Sequence, residues 1–251
     1  MNNLQLEQII NQKLNSQAIT DYAPNGLQVE GKTEIKKIIT GVTASQALID
    51  YAVSENADAI LVHHGYFWKS ENPCIRGMKG KRIKTLLVND INLYGYHLPL
   101  DIHTELGNNA KLAQLLGIEN LQPLENSTTS IPVYGSLINP VTGEEFAQRI
   151  EKALNRKPLF CGENASHLIR TIGICTGGGQ GYIDLAAQKG LDAFITGEVS
   201  EQTIHSAREQ GLHFFAAGHH ATERYGIKAL GEWLAKEYGF EVIFKDIDNP
   251  A

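Results

Sequence analysis

The sequence predicts an α/β protein made of two related α/β domains, an internal pseudo-repeat in which mixed sheets are flanked by helices. Two observations carry that prediction. Short β-branched runs alternate with amphipathic helical patterns along most of the 251 residues, as parallel or mixed α/β layers do. In addition, Ile49-Asp50-Tyr51-Ala52 followed by Ala57-Asp58-Ala59-Ile60 matches Ile183-Asp184-Leu185-Ala186 followed by Leu191-Asp192-Ala193-Phe194 at one constant offset, without a gap. Self-similarity at a fixed spacing marks a repeated unit.

Taken in order, the chain opens with MNNLQLEQIINQKLN, an amphipathic helix rather than a basic, apolar, cleavable leader. Strands are expected at 37–43 (KIITGVT), 59–64 (AILVHH) and 91–97 (INLYGYH), with SQALIDYAVSENA as a helix between the first two. A second set of strands is expected at 171–177 (TIGICTG), 193–198 (AFITGE) and 213–219 (HFFAAGH), with GYIDLAAQKG and TIHSAREQG as the helices between them. LQPLENSTTSIPVYG (121–135) combines prolines with a Ser/Thr run and is the expected boundary between halves. The domains are therefore read as 1–125 plus 220–251, carrying most metal ligands, and 126–219. After the boundary, TGEEFAQRIEKALNRKP is a helix whose Thr142 caps it with Glu145 three residues on. EVIFKDI (241–247) is a final strand, returning to the first half.

Composition narrows the function classes. Apolar residues make up 42% and charged residues 20%, with no linker-like or low-complexity block, so the whole chain is expected to fold. No run of eighteen apolar residues exists, which makes a cytoplasmic protein without membrane contact the expectation. Cys74, Cys161 and Cys175 are widely spaced and lack a C-x-x-C pair, so they read as buried thiols rather than as disulfides or thiolate metal ligands. A formal charge of −6 argues against a broad duplex-binding surface. The one dense basic cluster, Arg76, Lys79, Lys81, Arg82 and Lys84, is either a solvated helix start or a phosphate contact.

Ligands of α/β sheets gather beyond the carboxyl ends of strands. His63 and His64 end one expected strand, His97 and Asp101 follow another, and His219 and Glu223 follow a third. Four imidazoles and two carboxylates in those positions form a donor set for zinc, manganese, iron or nickel. Glu198 and His205, in TGEVSEQTIH, are further polar groups after a strand end and are candidates for proton transfer. Thr176-Gly177-Gly178-Gly179-Gln180-Gly181 fits neither phosphate-loop motif and reads as a tight turn. Tyr66, Phe67 and Trp68 stack on a base or pack against a neighbouring subunit.

The segments PNGLQVEG, GVTAS, LVHHGYFWK, HLPLDIH, TGGGQG, TGEVSEQTIHSARE and GHHATER resemble the Nif-three-like family, also called GTP cyclohydrolase I type two homologues, over nearly the whole chain. The resemblance implies a toroidal homohexamer with two metal ions per chain. Carried over position by position, it implies that His63, His64, Asp101, His219 and Glu223 are the ligands, Glu223 bridging. His97 then becomes a neighbour that orients a ligand or moves a proton. The long insertion that some relatives carry between the halves is absent, so this is the short form.

The function these features suggest is a dinuclear metal-dependent hydrolase acting on a nucleotide, nucleic-acid-derived or cyclic amide substrate. The alternative is a non-catalytic metal-binding ring that binds a protein partner or single-stranded nucleic acid in a regulatory or DNA-damage-related role.

Overall fold

The computed structural model describes residues 1–251, which fold as two compact units. The first comprises Met1–Leu100 with Gly226–Asp248, and the second Asp101–Tyr225 with Asn249–Ala251. The division thus falls at Leu100 rather than near 125. The reason is a hairpin: β5 (Glu119–Pro123) and β6 (Val133–Val141) pair antiparallel within the second unit's sheet. The polar, proline-bearing stretch is the loop of that hairpin, whose composition is the same as that of a linker.

In the first unit the sheet order is β1 (Gly26–Val29), β4 (Asn92–Gly95), β3 (Ala59–His64), β2 (Lys37–Thr43), β11 (Glu241–Phe244). β2, β3, β4 and β11 run parallel, and β1 closes the edge antiparallel to β4. The final strand does return to the first half, pairing Glu241 with Lys37. Connections run through α2 (Gln46–Ser54), which Ser45 caps through its side chain, and α3 (Gly77–Val88). The core is Ile39, Ile60, Val62 and Leu93 from the strands against Leu48, Ile49, Ile83 and Leu86 from the helices. Each such aliphatic chain contributes roughly 1.5–3 kcal/mol by leaving water. α1 (Asn3–Leu14) is the expected amphipathic helix, burying Leu6, Ile10 and Leu14.

The second unit is a six-stranded sheet, β5-β6-β8-β9-β10-β7, with β8 (Ile169–Cys175), β9 (Ala193–Thr196) and β10 (His213–Ala216) parallel and β7 (Leu159–Cys161) antiparallel at the edge. Both its faces are covered. α5 (Asn108–Leu116) and α6 (Gly143–Leu154) supply Leu112, Leu116, Phe146, Ile150 and Leu154 to one core cluster. α7 (Ile183–Gln188) and α8 (Glu201–Gln210) supply Ile183, Ala186 and Ala207 to the other. The Thr142–Glu145 capping box expected for α6 is present in both directions.

The repeat extends to individual hydrogen bonds. In the first unit the Asp58 carboxylate accepts the backbone N–H groups of Lys36 and Lys37 at 2.7 and 2.9 Å. In the second the matching Asp192 accepts those of Arg170 and Thr171 at 2.9 and 2.8 Å. These are the same positions under the same offset, so one aspartate per half ties the start of the first parallel strand to the start of the second. The strands themselves are shorter than the sequence patterns suggested. β4, β9 and β10 end at Gly95, Thr196 and Ala216, and the polar residues that follow belong to turns and helix starts. No helix is long and apolar enough to cross a membrane.

Candidate functional site

In the first unit three imidazoles gather at the carboxyl ends of two strands: His63 and His64 are the last residues of β3, and His97 lies just beyond β4. The ring centroids of His63, His64 and His97 are 4.5, 5.1 and 6.0 Å apart. Each can offer a ligand atom within 4.8 Å of the others'. His63 is buried, and its Nδ1 donates to the Tyr96 carbonyl at 2.9 Å. A carbonyl only accepts, so Nδ1 carries the proton and Nε2 is the nitrogen that could serve a metal. His64 Nδ1 meets the Thr43 hydroxyl at 3.1 Å. His97 Nδ1 donates to Asp21 Oδ1 at 2.9 Å.

Asp21 is the residue the sequence reading missed. Its carboxylate also accepts from the Tyr22 N–H at 2.7 Å, the Leu98 N–H at 2.9 Å and the Asn25 amide at 3.0 Å. Burial would raise its pKa, but the hydrogen bonds from His97 and Asn25 outweigh burial and hold the carboxyl at about 2. The available signal was Asp-Tyr-Ala-Pro-Asn itself, an Asx turn that orders its own loop.

In the second unit Asp101 sits in α4 (Leu98–Ile102), 5% exposed, accepting from the Asn108 amide at 2.8 Å. It therefore holds a side chain at the start of α5, whose cap position is Gly107. His219 opens α9 (His219–Tyr238). Its Nδ1 donates to Glu198 Oε1 at 2.6 Å, and its Nε2 lies 3.2 Å from Glu223 Oε2 one turn along the helix. Burial disfavours a charged ring, yet the two carboxylates more than compensate and push His219 up to about 9. A protonated imidazole thus supplies the positive charge that Glu223, itself 3% exposed, requires. That need for a cation is met by a divalent metal equally well, with Nε2 and the carboxylate as donors.

The glycine loop after β8 fits around these groups. Gly177 has φ +66°, and a Cβ there would lie 2.1 Å from Glu223 Oε1 and 3.0 Å from His219 Nε2. Its N–H donates to Thr222 Oγ1 and its carbonyl accepts from the Gly197 and Glu198 N–H groups. The loop is a tight turn, as expected, and it is also the wall that the carboxylate touches. Cys175 lies beneath it, and burial together with Asp101 and Glu223 pushes its thiol well up. Of the other cysteines, Cys161 is buried and Cys74 exposed, contrary to a buried reading of all three.

His205 stands apart from these groups. It pairs with Glu201 at 2.9 Å on the outer face of α8, both largely exposed. The basic cluster resolves into a helix start, with Lys79 buried on it. Its ammonium lies 4.9 Å over the Phe67 ring, 3.4 Å from Glu71, and donates to the Asn72 carbonyl.

The first unit therefore presents three imidazoles, and the second an imidazole with the carboxylates of Glu198 and Glu223, at the carboxyl ends of parallel strands, where α/β sheets place ligand sites. The donors suit zinc, iron, manganese or nickel.

Comparison with known proteins places the chain. It is 83% identical over 251 residues to a GTP cyclohydrolase 1 type 2 homolog of Haemophilus influenzae, covering all of both chains. A solved structure of the protein ybgI, described as of unknown function, matches with TM-score 0.97 and 64% identity, again over the full length of both. A crystal structure from Thermus thermophilus matches with TM-score 0.90 and 33% identity over all of both chains. The model of the family described as Duf34/NIF3 (NGG1p interacting factor 3) matches residues 1–250, and the chain belongs to that family.

Proposed function

We propose that this chain binds two divalent metal ions through His63, His64, Asp101, His219 and Glu223, with Glu223 bridging, and acts as a metal-dependent hydrolase on a nucleotide, nucleic-acid-derived or cyclic amide substrate. The observation that carries the reading is the uniform anchoring of the imidazoles. In His63, His64, His97 and His219 alike, Nδ1 is held by an oxygen of the protein, namely Tyr96, Thr43, Asp21 and Glu198. The carbonyl and carboxylate partners fix the tautomer of His63, His97 and His219, and all four partners orient the ring so that Nε2 is presented, the usual arrangement of metal-ligating histidines. The division of ligands between two ions follows the family resemblance.

Two bound ions would supply an activated water and neutralise charge on the leaving oxygen. The protein's own groups do the rest. His97, with Nδ1 pinned to Asp21, holds or moves a proton at Nε2. Glu198 orients His219 and offers a partly exposed carboxylate for proton transfer. The toroidal hexamer implied by the resemblance is part of the same proposal. The name shared by the relatives recommends guanine nucleotides as the first substrates to test. Lys79, engaged by Glu71, Asn72 and Phe67, weakens the basic cluster as a nucleic-acid contact.

The test is a hydrolysis screen of nucleotides, phosphodiesters and cyclic amides with protein loaded separately with each of the four metals. Turnover that is lost with chelator, and reduced by roughly 10²–10⁴ in His97→Ala with metal retained, supports the reading. No turnover by any loaded form would overturn the hydrolase and leave the non-catalytic metal-binding protein in its place.

A further inference from the structure

We propose that Tyr22 and Trp68 form a stacking subsite for a planar heteroaromatic ring, such as a nucleobase, in the molecule that acts at the neighbouring histidines. The proposal rests on the functional reading above and adds to it the part of the substrate that is held away from the metals.

Three observations in the first unit support it. First, the two rings adjoin the histidine group directly. Tyr22 and Trp68 both meet His97 edge to face, at 5.0 and 4.9 Å, and Trp68 lies 6.0 Å from His64. The two aromatic rings are 5.8 Å apart and inclined by 37°. A planar group laid along them therefore places its substituents next to the imidazoles.

Second, the Tyr22 backbone and the Trp68 indole are tied down although Tyr22 is 54% exposed. The Tyr22 N–H is fixed by Asp21 at 2.7 Å and its carbonyl by the Lys69 N–H at 2.8 Å, which ties its segment to the one carrying Trp68. The Trp68 indole N–H donates to the Gly65 carbonyl at 3.2 Å. An aromatic carried on an anchored backbone loses less entropy when a ligand stacks on it than one on a loose loop does.

Third, the segment leading to Trp68 is strained. Phe67 has φ 65°, a left-handed conformation that is an outlier for an aromatic residue. Glu71 holds it there by accepting the Phe67 and Trp68 N–H groups at 2.8 and 3.2 Å. Lys79 then locks Glu71 at 3.4 Å and covers the Phe67 ring. Strain of this kind persists where the surroundings over-determine it, characteristically at ligand sites. Here its effect is to turn Trp68 toward the histidines while Phe67 and Tyr66 turn into the core. Of the three aromatics singled out in the sequence, only Trp68 takes the stacking role, joined by Tyr22 from a distant segment. Stacking on an aromatic tolerates any base because each has a π face, so the wall selects a ring class rather than one compound.

The experiment measures binding of GMP and of ribose 5-phosphate by calorimetry to metal-loaded wild type, Tyr22→Leu, Trp68→Leu and Trp68→Phe, with metal content determined on every sample. The expected result is a preference for GMP of roughly tenfold or more in wild type. That preference is lost in both leucine variants and kept in Trp68→Phe, metal content being the same throughout. Preference that persists when metal is removed also supports the subsite, even if the metal reading fails. Equal affinity for the two compounds in wild type, as when a second copy of the chain covers the wall, overturns the proposal. So does a preference unchanged in the leucine variants.

Discussion

Replacing Asp21 by Asn tests the carboxylate that anchors His97 and the start of α4. Its oxygens accept from His97, Tyr22, Leu98 and Asn25, and its side chain is 3% exposed. The carboxyl is held at about 2, against an ordinary 3.8. At about 1.4 kcal/mol per unit, the ionised form contributes about 2 kcal/mol to the folded state at neutral pH. The folded value is depressed, so this contribution is complete above pH 4 or so and fades as pH falls toward 2. Linkage leaves roughly half of it at pH 3. Asparagine keeps the shape, loses the charge and turns an amide donor toward groups that themselves donate. Both tryptophans, Trp68 and Trp233, belong to the first unit, so their fluorescence reports its unfolding in urea. On metal-free protein at pH 7 the variant should unfold at about 1 M lower urea, for a typical denaturant slope of ~2 kcal/mol per M. The gap should narrow to about half that at pH 3. Equal stability at pH 7, or a gap that does not shrink with acid, would refute the account of Asp21.

Three further outcomes are expected. Gly177→Ala places a methyl group against Glu223 Oε1 at a positive φ; it should cost at least about 2 kcal/mol in urea unfolding and lower metal content, and wild-type behaviour in both would refute the close approach. In native protein only the exposed Cys74 should react quickly with a thiol reagent, because burial pushes Cys161 up to about 11 and Cys175 well up; rapid reaction of all three thiols without denaturant would contradict the packing. Metal uptake at pH 7 should release a proton from His219, held at about 9 by Glu223 and Glu198; calorimetric heats that do not depend on the buffer's ionisation enthalpy would contradict that displacement.

Much of the fold was legible because it rests on periodicity. β2 and β3 span the residues their patterns indicate, and the repeat reappears as the matched hydrogen bonds of Asp58 and Asp192. The division between units was not legible, since the loop of the β5–β6 hairpin has a linker's composition and only its strand pairing shows otherwise. Strand ends were overextended where glycines and histidines continue an apolar run into a turn, as at Gly95 and Ala216. Among site residues, the histidines announced themselves by type and by position after strands. Asp21 and Thr43 did not, because their roles arise from contacts with His97 and His64 that lie far off in sequence. Nor did the exposure of Cys74 show, being a property of its loop rather than of its residue type.

The central claim is the pair of metals, and their count per chain tests it most directly. Protein purified without chelator and loaded with each candidate ion should carry close to two ions per chain by elemental analysis. Glu223→Ala should lose much of that metal while keeping its fold by circular dichroism. Little metal in wild type after loading, or a Glu223→Ala variant that holds as much as wild type, would contradict the account.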